Sequence, residues 1–146
     1  MQRRIAVRAI IVKDGKLLCV RAKPYHDHVR TDIWFTPGGG LDEGESLADG
    51  LRREILEEIG IEPVIGNLLY IQQFKDERKE HLEFFFHVTN ADEFLNADTS
   101  ATSHGKDEIE ELEFIPAAKH DVFPTFLRKE DFSLITEQPV KLFNSL

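Results

Sequence analysis

Cysteine, long apolar runs and positive charge are all scarce in this sequence. Cys19 is the only cysteine among 146 residues, which excludes an internal disulfide and a thiolate metal site. No stretch approaches the roughly 18 apolar residues that a membrane helix needs, so we expect no membrane partner. Residues 1–7 lack a signal-peptide core and lead into a predicted strand, which favours a cytoplasmic protein.

Negative charge dominates instead, with 27 Asp and Glu against 18 Lys and Arg and a net charge of −9. Phosphate backbones are bound by clustered Lys and Arg, so this balance argues against a nucleic acid polymer as the partner. It is compatible with a small phosphate compound, because divalent metal ions can bridge carboxylates to phosphate oxygens.

The chain predicts a single α+β domain over residues 1–146, since no repeat, low-complexity tract or linker interrupts it. The Asp14-Gly15 pair predicts a tight hairpin turn, and residues 117–134 are predicted to be helical in pieces, with Pro124 near a helix start. The strand at 111–115 is predicted to be the last, and the tail after Pro139 carries no readable function. Runs rich in apolar and β-branched residues predict strands at 5–12, 17–22, 64–74, 81–89 and 111–115.

The clearest helix is predicted over residues 46–59. Ser46 is a typical N-cap residue, and Gly60 is typical of the position that follows a helix. An apolar face at helical spacing should dock on a sheet. Its members are Ala48, Leu51, Ile55 and Ile59.

Three carboxylates crowd one arc of this helix. Glu54 and Glu58 lie one turn apart, and Glu57 lies beside them. Like charges at this spacing cost an isolated helix a few tenths of a kcal/mol per pair, roughly, unless a cation neutralises them. Mg²⁺ or Mn²⁺, which prefer oxygen ligands, fit that role. Glu45 adds a fourth carboxylate, and Arg53 lies where it could hold one in place.

The glycine run Gly38–Gly40 precedes the helix and can turn carbonyls or amides toward a metal or phosphate. Taken alone, the loop and helix would favour an acidic, solvated surface. The spacing favours the metal site, because it resembles the Nudix box at every fixed position. The matching positions are Gly39, Glu45, Arg53, Glu54, Ile55, Glu57, Glu58, Gly60 and Ile61. The preceding residues, 34–40, also resemble the usual entry to this box.

Resemblance to the Nudix family implies an α/β/α sandwich with a mixed β-sheet. It further implies that Glu54, Glu57 and Glu58 bind the metal, that the carbonyl of Gly39 or Gly40 adds a ligand, and that Arg53 orients a glutamate. The implied reaction is attack of water on the pyrophosphate linkage of a nucleoside diphosphate joined to another group. Metal ions neutralise the developing charge and activate the water.

The general base is open between Glu54 and Glu108, since family members use either a box glutamate or one from a later loop. Glu108 belongs to an acidic run that also fits a solvated surface. His26 and His28 admit a metal-pair interpretation, but a polar loop touching substrate is favoured. The predicted substrate-binding residues are Tyr25, His28, Arg30, Phe74 and Phe84, of which the aromatic rings could stack on a base.

Marks of the coenzyme A, ADP-ribose and diadenosine polyphosphate subfamilies are missing, which favours a nucleoside triphosphate, ordinary or oxidised. The alternatives are ADP-ribose, nucleotide-sugar or dinucleoside polyphosphate hydrolysis, a non-catalytic nucleotide sensor, and an unrelated acidic interaction protein. Dimers occur in the family, so a homodimer stays open.

Overall fold

The structure is a computed structural model that describes residues 1–22, 32–99, 102, 105 and 109–146. Short 3₁₀ helices lie at Ala91–Phe94, Ala117–Lys119, Thr125–Lys129 and Phe132–Leu134. The strands and the α-helix that position the site follow in chain order as β1 (Gln2–Ile10), β2 (Val12–Lys13), β3 (Lys16–Ala22), β4 (Trp34–Phe35), β5 (Gly38–Gly40), α1 (Leu47–Glu58), β6 (Ile65–Lys75), β7 (Lys79–Val88), β8 (Ile109–Ile115), β9 (Val122–Phe123) and β10 (Lys141–Asn144).

These strands form two sheets. The first has the order β10-β6-β7-β1-β5, in which β1 runs parallel to β7 and antiparallel to β5. The second has the order β2-β3-β4-β9, with β8 paired antiparallel to β3. The predicted α+β class and mixed pairing are confirmed, and the structure divides the strands between two sheets where one was expected.

The predicted hairpin turn is confirmed by its backbone. Asp14 has a φ of 51° and Gly15 a φ of 76°, so both residues have the left-handed backbone conformation. Two consecutive residues of this kind define the tight turn that matches the twist of antiparallel strands. The strands it joins are β2 and β3.

Both faces of β1 are buried, which places this strand in the middle of the molecule. Val7 packs with Leu51 and Ile55 of α1 in one hydrophobic core. Ile10 faces the other way and packs with Leu127, from a C-terminal 3₁₀ helix, in a second core. The sheets therefore lie between α1 and the C-terminal 3₁₀ helices, so short 3₁₀ helices form the second outer layer of the predicted sandwich.

Two details of the predicted pattern were wrong. β8 is not the last strand, because β10 follows it and pairs in parallel with β6, with Lys141 beside Tyr70. Ala48 is exposed, and α1 buries Gly50 in the same turn. Gly50 makes room there for Leu41, whose Cδ1 would lie 2.3 Å from a Cβ at that position.

No helix among the described residues is both long enough and apolar enough to cross a membrane.

Candidate active site

Helix α1 carries the predicted carboxylates, and its sequence fixes both of its ends. Ser46 is the N-cap, and its Oγ accepts a hydrogen bond from the Asp49 N–H at 3.1 Å. Gly60 has a φ of 80°, the left-handed conformation that commonly follows a helix. The predicted helix is confirmed, and its register puts Glu54 and Glu58 one turn apart.

The glycine strand β5 can lie close to β1 and α1 because it has no side chains. Gly38 has a φ of 140°, and a Cβ there would lie 2.1 Å from the Val7 carbonyl oxygen, so only glycine fits. A Cβ on Gly39 would lie 2.6 Å from Glu54 Oε2. The missing side chain thus brings the strand backbone up to the Glu54 carboxylate.

Arg53 connects the acidic groups to this strand. Its Nε and Nη2 donate to the Glu45 carboxylate at 2.7 and 2.9 Å, as a bidentate pair. Nη2 also donates to the Gly40 carbonyl at 3.0 Å. Nη1 donates to Glu54 Oε1 at 3.2 Å and to Glu57 Oε2 at 3.3 Å. The hydrogen bond to Glu45, together with the negative charges of Glu54, Glu45 and Asp42, raises the pKa of Arg53 against the opposing effect of burial.

The three helix glutamates line a carboxylate basin of about 500 Å³, together with Gly39 and Arg4. Glu58 is only 8% exposed, and the side chains of Glu54 and Glu57 are 13% and 29% exposed. Burial penalises a charged carboxylate and raises the pKa of Glu54, against the opposing effect of the neighbouring guanidinium.

The donors around the carboxylate basin fit a hard divalent cation. Carboxylate and carbonyl oxygens are the ligands that such ions prefer. Among the residues described, no three acidic, histidine or cysteine side chains are arranged as a metal-binding group. The Arg53 guanidinium donates to both Glu54 and Glu57. The space that a Cβ on Gly39 would fill lies against Glu54, so the Glu54 carboxylate lies close to the Gly39 backbone.

A cationic cleft of about 500 Å³ continues from the carboxylate basin, and Arg4 and Glu58 line both. Burial, followed by repulsion from Arg8, lowers the pKa of Arg4. In a protein of net charge −9, this concentration of cations indicates a binding surface for an anion. The cations that line the cleft are Arg4, Arg8, Arg21, Arg78 and Lys79.

Sequence reasoning missed Arg4 and Arg8, although a signal was present. They lie four residues apart on β1 and therefore on the same face of the strand. Arg8 Nη1 donates to the carbonyls of Thr36 and Gly38 at 3.2 and 3.3 Å, which fixes it at the start of the glycine strand. Two arginines on one face of a mostly apolar strand, in an acidic protein, point to an anion site.

The structure separates the predicted substrate residues. Phe74 lines a smaller cavity beside the cationic cleft. Phe84 packs in the core under α1 and lines neither the cleft nor that cavity, so its position does not support substrate contact. The reason is strand alternation, which directs Phe84 to the opposite face of the first sheet. The remaining predicted residues, Tyr25, His26, His28, Arg30 and Glu108, lie outside the described residues.

A family match gives this fold its name. The NUDIX domain family matches residues 2–137. The chain therefore belongs to the NUDIX family of hydrolases, which generally depend on a divalent metal ion.

Two curated relatives and one solved structure illustrate the likeness. The CTP pyrophosphohydrolase of Escherichia coli (strain K12) is 36% identical over 67 residues, 46% of this chain and 48% of that protein. The nucleoside triphosphatase NudI of Salmonella typhimurium (strain LT2) is 30% identical over 95 residues, 59% of this chain and 66% of that protein. The chain thus spans about half to two thirds of these relatives.

The crystal structure of the MutT protein from Methanosarcina mazei Go1 matches with a TM-score of 0.74 at 23% identity. The match covers 94% of this chain and 97% of that one. At this identity the likeness concerns the fold, and it extends over nearly the whole chain.

Proposed function

We propose that this chain is a Mg²⁺-dependent pyrophosphohydrolase that cleaves the pyrophosphate linkage of a nucleoside triphosphate, ordinary or oxidised. The observation that carries the proposal is the continuity of the carboxylate basin and the cationic cleft through Arg4 and Glu58. A substrate with several phosphate groups can contact both regions at once. The names of the two curated relatives, a CTP pyrophosphohydrolase and a nucleoside triphosphatase, support the choice of a triphosphate.

Glu54, Glu57 and Glu58 would hold Mg²⁺, or Mn²⁺ as a substitute, and the Gly39 carbonyl would add an oxygen ligand. When bound, the ion supplies charge neutralisation at the phosphate oxygens and lowers the pKa of a bound water.

Arg53 would position the glutamates for this task. Its fork is occupied by Glu45, so the guanidinium is fixed where it reaches Glu54 and Glu57. A planar guanidinium with five donors restricts several carboxylates at once, which a lysine ammonium cannot do in the same geometry. Arg4 and Arg8, which line the cleft, would bind the phosphate oxygens.

The proton of the attacking water would pass to Glu54 or to Glu108. Support for Glu54 comes from its position in the carboxylate basin, where its side chain is 13% exposed. Support for Glu108 comes from its described neighbours on either side in sequence. Ile109 lines the cleft together with Glu58, and a Cβ on Gly105 would lie 2.3 Å from the Glu58 carbonyl oxygen.

The test follows hydrolysis of a nucleotide panel with Mg²⁺ by wild type, Glu58→Gln and Glu62→Gln. The panel holds ordinary and oxidised nucleoside triphosphates, ADP-ribose, nucleotide sugars and dinucleoside polyphosphates. Glu62 is the matched control, because it is exposed and pairs with Arg52 outside the site. We expect turnover of a triphosphate that falls by about 100-fold or more in Glu58→Gln, since metal binding supplies several kcal/mol of transition-state stabilisation. Glu62→Gln should retain wild-type turnover.

The other outcomes contradict different parts of the proposal. If the protein hydrolyses only another member of the panel, the class of that compound replaces the triphosphate as the proposed substrate. Mg²⁺ binding is measured by the shift of the thermal unfolding midpoint. Binding without any turnover would identify a sensor domain. Absence of both would contradict the metal site itself.

A further inference from the structure

A smaller cavity of about 320 Å³, the aromatic cavity, lies beside the cationic cleft and shares Arg4 and Arg8 with it. Its size is at the lower end of the range of ligand pockets, about 300–1,000 Å³. Four rings line it, from Phe35, Phe74, His81 and Phe123.

The rings form a connected wall. Phe74 and His81 are stacked with centroids 4.4 Å apart. Phe123 meets Phe74 edge to face at 5.6 Å and Phe35 at 6.0 Å. Flat aromatic surfaces of this kind bind the faces of planar ligands, nucleobases among them.

Two buried polar side chains line the same cavity. Thr36 is 1% exposed, and its Oγ1 has no hydrogen-bond partner among the described residues. Glu83 is 4% exposed, and its ion pair with Arg8 Nε spans 3.5 Å, longer than an ordinary hydrogen bond. Buried polar groups are nearly always hydrogen-bonded, so the Thr36 hydroxyl and the Glu83 carboxylate can still form hydrogen bonds with a ligand.

An ionised carboxylate only accepts hydrogen bonds, so a ligand that satisfies Glu83 must present N–H or O–H groups. Nucleobases differ in this respect at their exocyclic groups, because the ring N–H that uracil and hypoxanthine also carry is flanked by a carbonyl oxygen. Cytosine carries an exocyclic amino group where uracil carries a carbonyl oxygen, and adenine and hypoxanthine differ in the same way. A carbonyl oxygen facing Glu83 would leave the carboxylate unpaired and add repulsion, which a buried site tolerates poorly.

We propose that the aromatic cavity holds the base of the substrate and that Glu83 selects bases with an exocyclic amino group, with Thr36 as a second polar contact. This inference rests on the proposed function, since it takes the substrate to be a nucleotide whose phosphates lie at Arg4. Arg4 and Arg8 line both the aromatic cavity and the cationic cleft, which connects the base to the phosphate groups.

The test measures binding of CMP, UMP, AMP and IMP by titration calorimetry, because these compounds have no pyrophosphate linkage and need no turnover. The proteins are wild type, Glu83→Gln and Glu80→Gln. Glu80 is the matched control, as it lies on the same strand, faces the other way and pairs with Arg3.

We expect wild type to bind CMP over UMP, and AMP over IMP, by about tenfold or more, the effect of one good hydrogen bond. The ratios should approach one in Glu83→Gln, because an amide both donates and accepts, and stay unchanged in Glu80→Gln. Equal wild-type affinity for amino and carbonyl bases would overturn the proposal, and so would ratios that survive in Glu83→Gln.

The wild-type affinity ratios test the preference for amino bases even if Glu83→Gln does not fold. The result is also separable from the proposed function. Discrimination between monophosphates without triphosphate turnover would contradict the hydrolase proposal alone, whereas turnover without discrimination would contradict the role of Glu83 alone.

Discussion

The role of Arg53 is tested most directly by replacing it with lysine, which keeps the charge and removes the fork. Arg53 makes hydrogen bonds to Glu45, to the Gly40 carbonyl, to Glu54 and to Glu57. A lysine ammonium reaches one or two of these acceptors. The carboxylates that it leaves unpaired lie together on α1 and repel each other.

The size of the effect follows from the contacts that are lost. Hydrogen bonds to charged groups contribute about 1.5–3 kcal/mol when partly buried. Loss of the contact with Glu54, whose side chain is 13% exposed, should therefore destabilise the fold by about 1–3 kcal/mol. Activity should fall further, by about 100-fold in kcat/KM, because displacing a reacting group by about 1 Å has an effect of this order.

The assay combines thermal unfolding with triphosphate turnover in Mg²⁺ for wild type, Arg53→Lys and Arg52→Lys. Arg52 is the adjacent helix residue, and its ion pair with Glu62 is exposed on both sides, so its replacement should change neither quantity. Wild-type kcat/KM in Arg53→Lys would refute the positioning role of Arg53. Equal losses of stability and activity in Arg53→Lys and Arg52→Lys would refute it as well.

Two further predictions concern the groups around Arg53. Because burial raises the pKa of Glu54, its ionised form destabilises the metal-free protein at neutral pH. Glu54→Gln should therefore raise the metal-free Tm at neutral pH, and the gain should shrink as the pH falls through the folded-state pKa toward the ordinary value of 4.5; a gain independent of pH would contradict this. Gly39→Ala should displace the Glu54 carboxylate, which would lie 2.6 Å from the new Cβ, and lower kcat/KM by about 100-fold while the Tm stays near wild type. Wild-type turnover in Gly39→Ala would show that Glu54 can move without consequence.

The sequence alone determined the helix and the acidic part of the site. Ser46 and Gly60 mark the ends of α1, and the helical repeat of 3.6 residues then puts Glu54 and Glu58 on one side without reference to the rest of the chain. The tight turn at Asp14-Gly15 was readable for the same reason, since its backbone conformation depends on two adjacent residues.

Strand faces were less readable, because alternation gives two faces but not their surroundings. Phe74 and Phe84 both lie on predicted strands, and both faces of the first sheet are buried, so an apolar side chain fits either side. Only the packing of α1 on one face showed that Phe84 belongs to the core and Phe74 to the aromatic cavity.

Tertiary structure alone decided what stands next to the carboxylates. Arg4 and Glu58 line the same basin because β1 pairs with β5, which carries the glycines up to α1. The tail reaches β6 by pairing with residues far away in the sequence. Such contacts depend on the closure of long loops and on burial of two cores at once, and neither leaves a local pattern in the chain. The half of the site that we propose to bind metal is thus encoded within one helix and its loop, whereas the half that would select the substrate is assembled from separate strands.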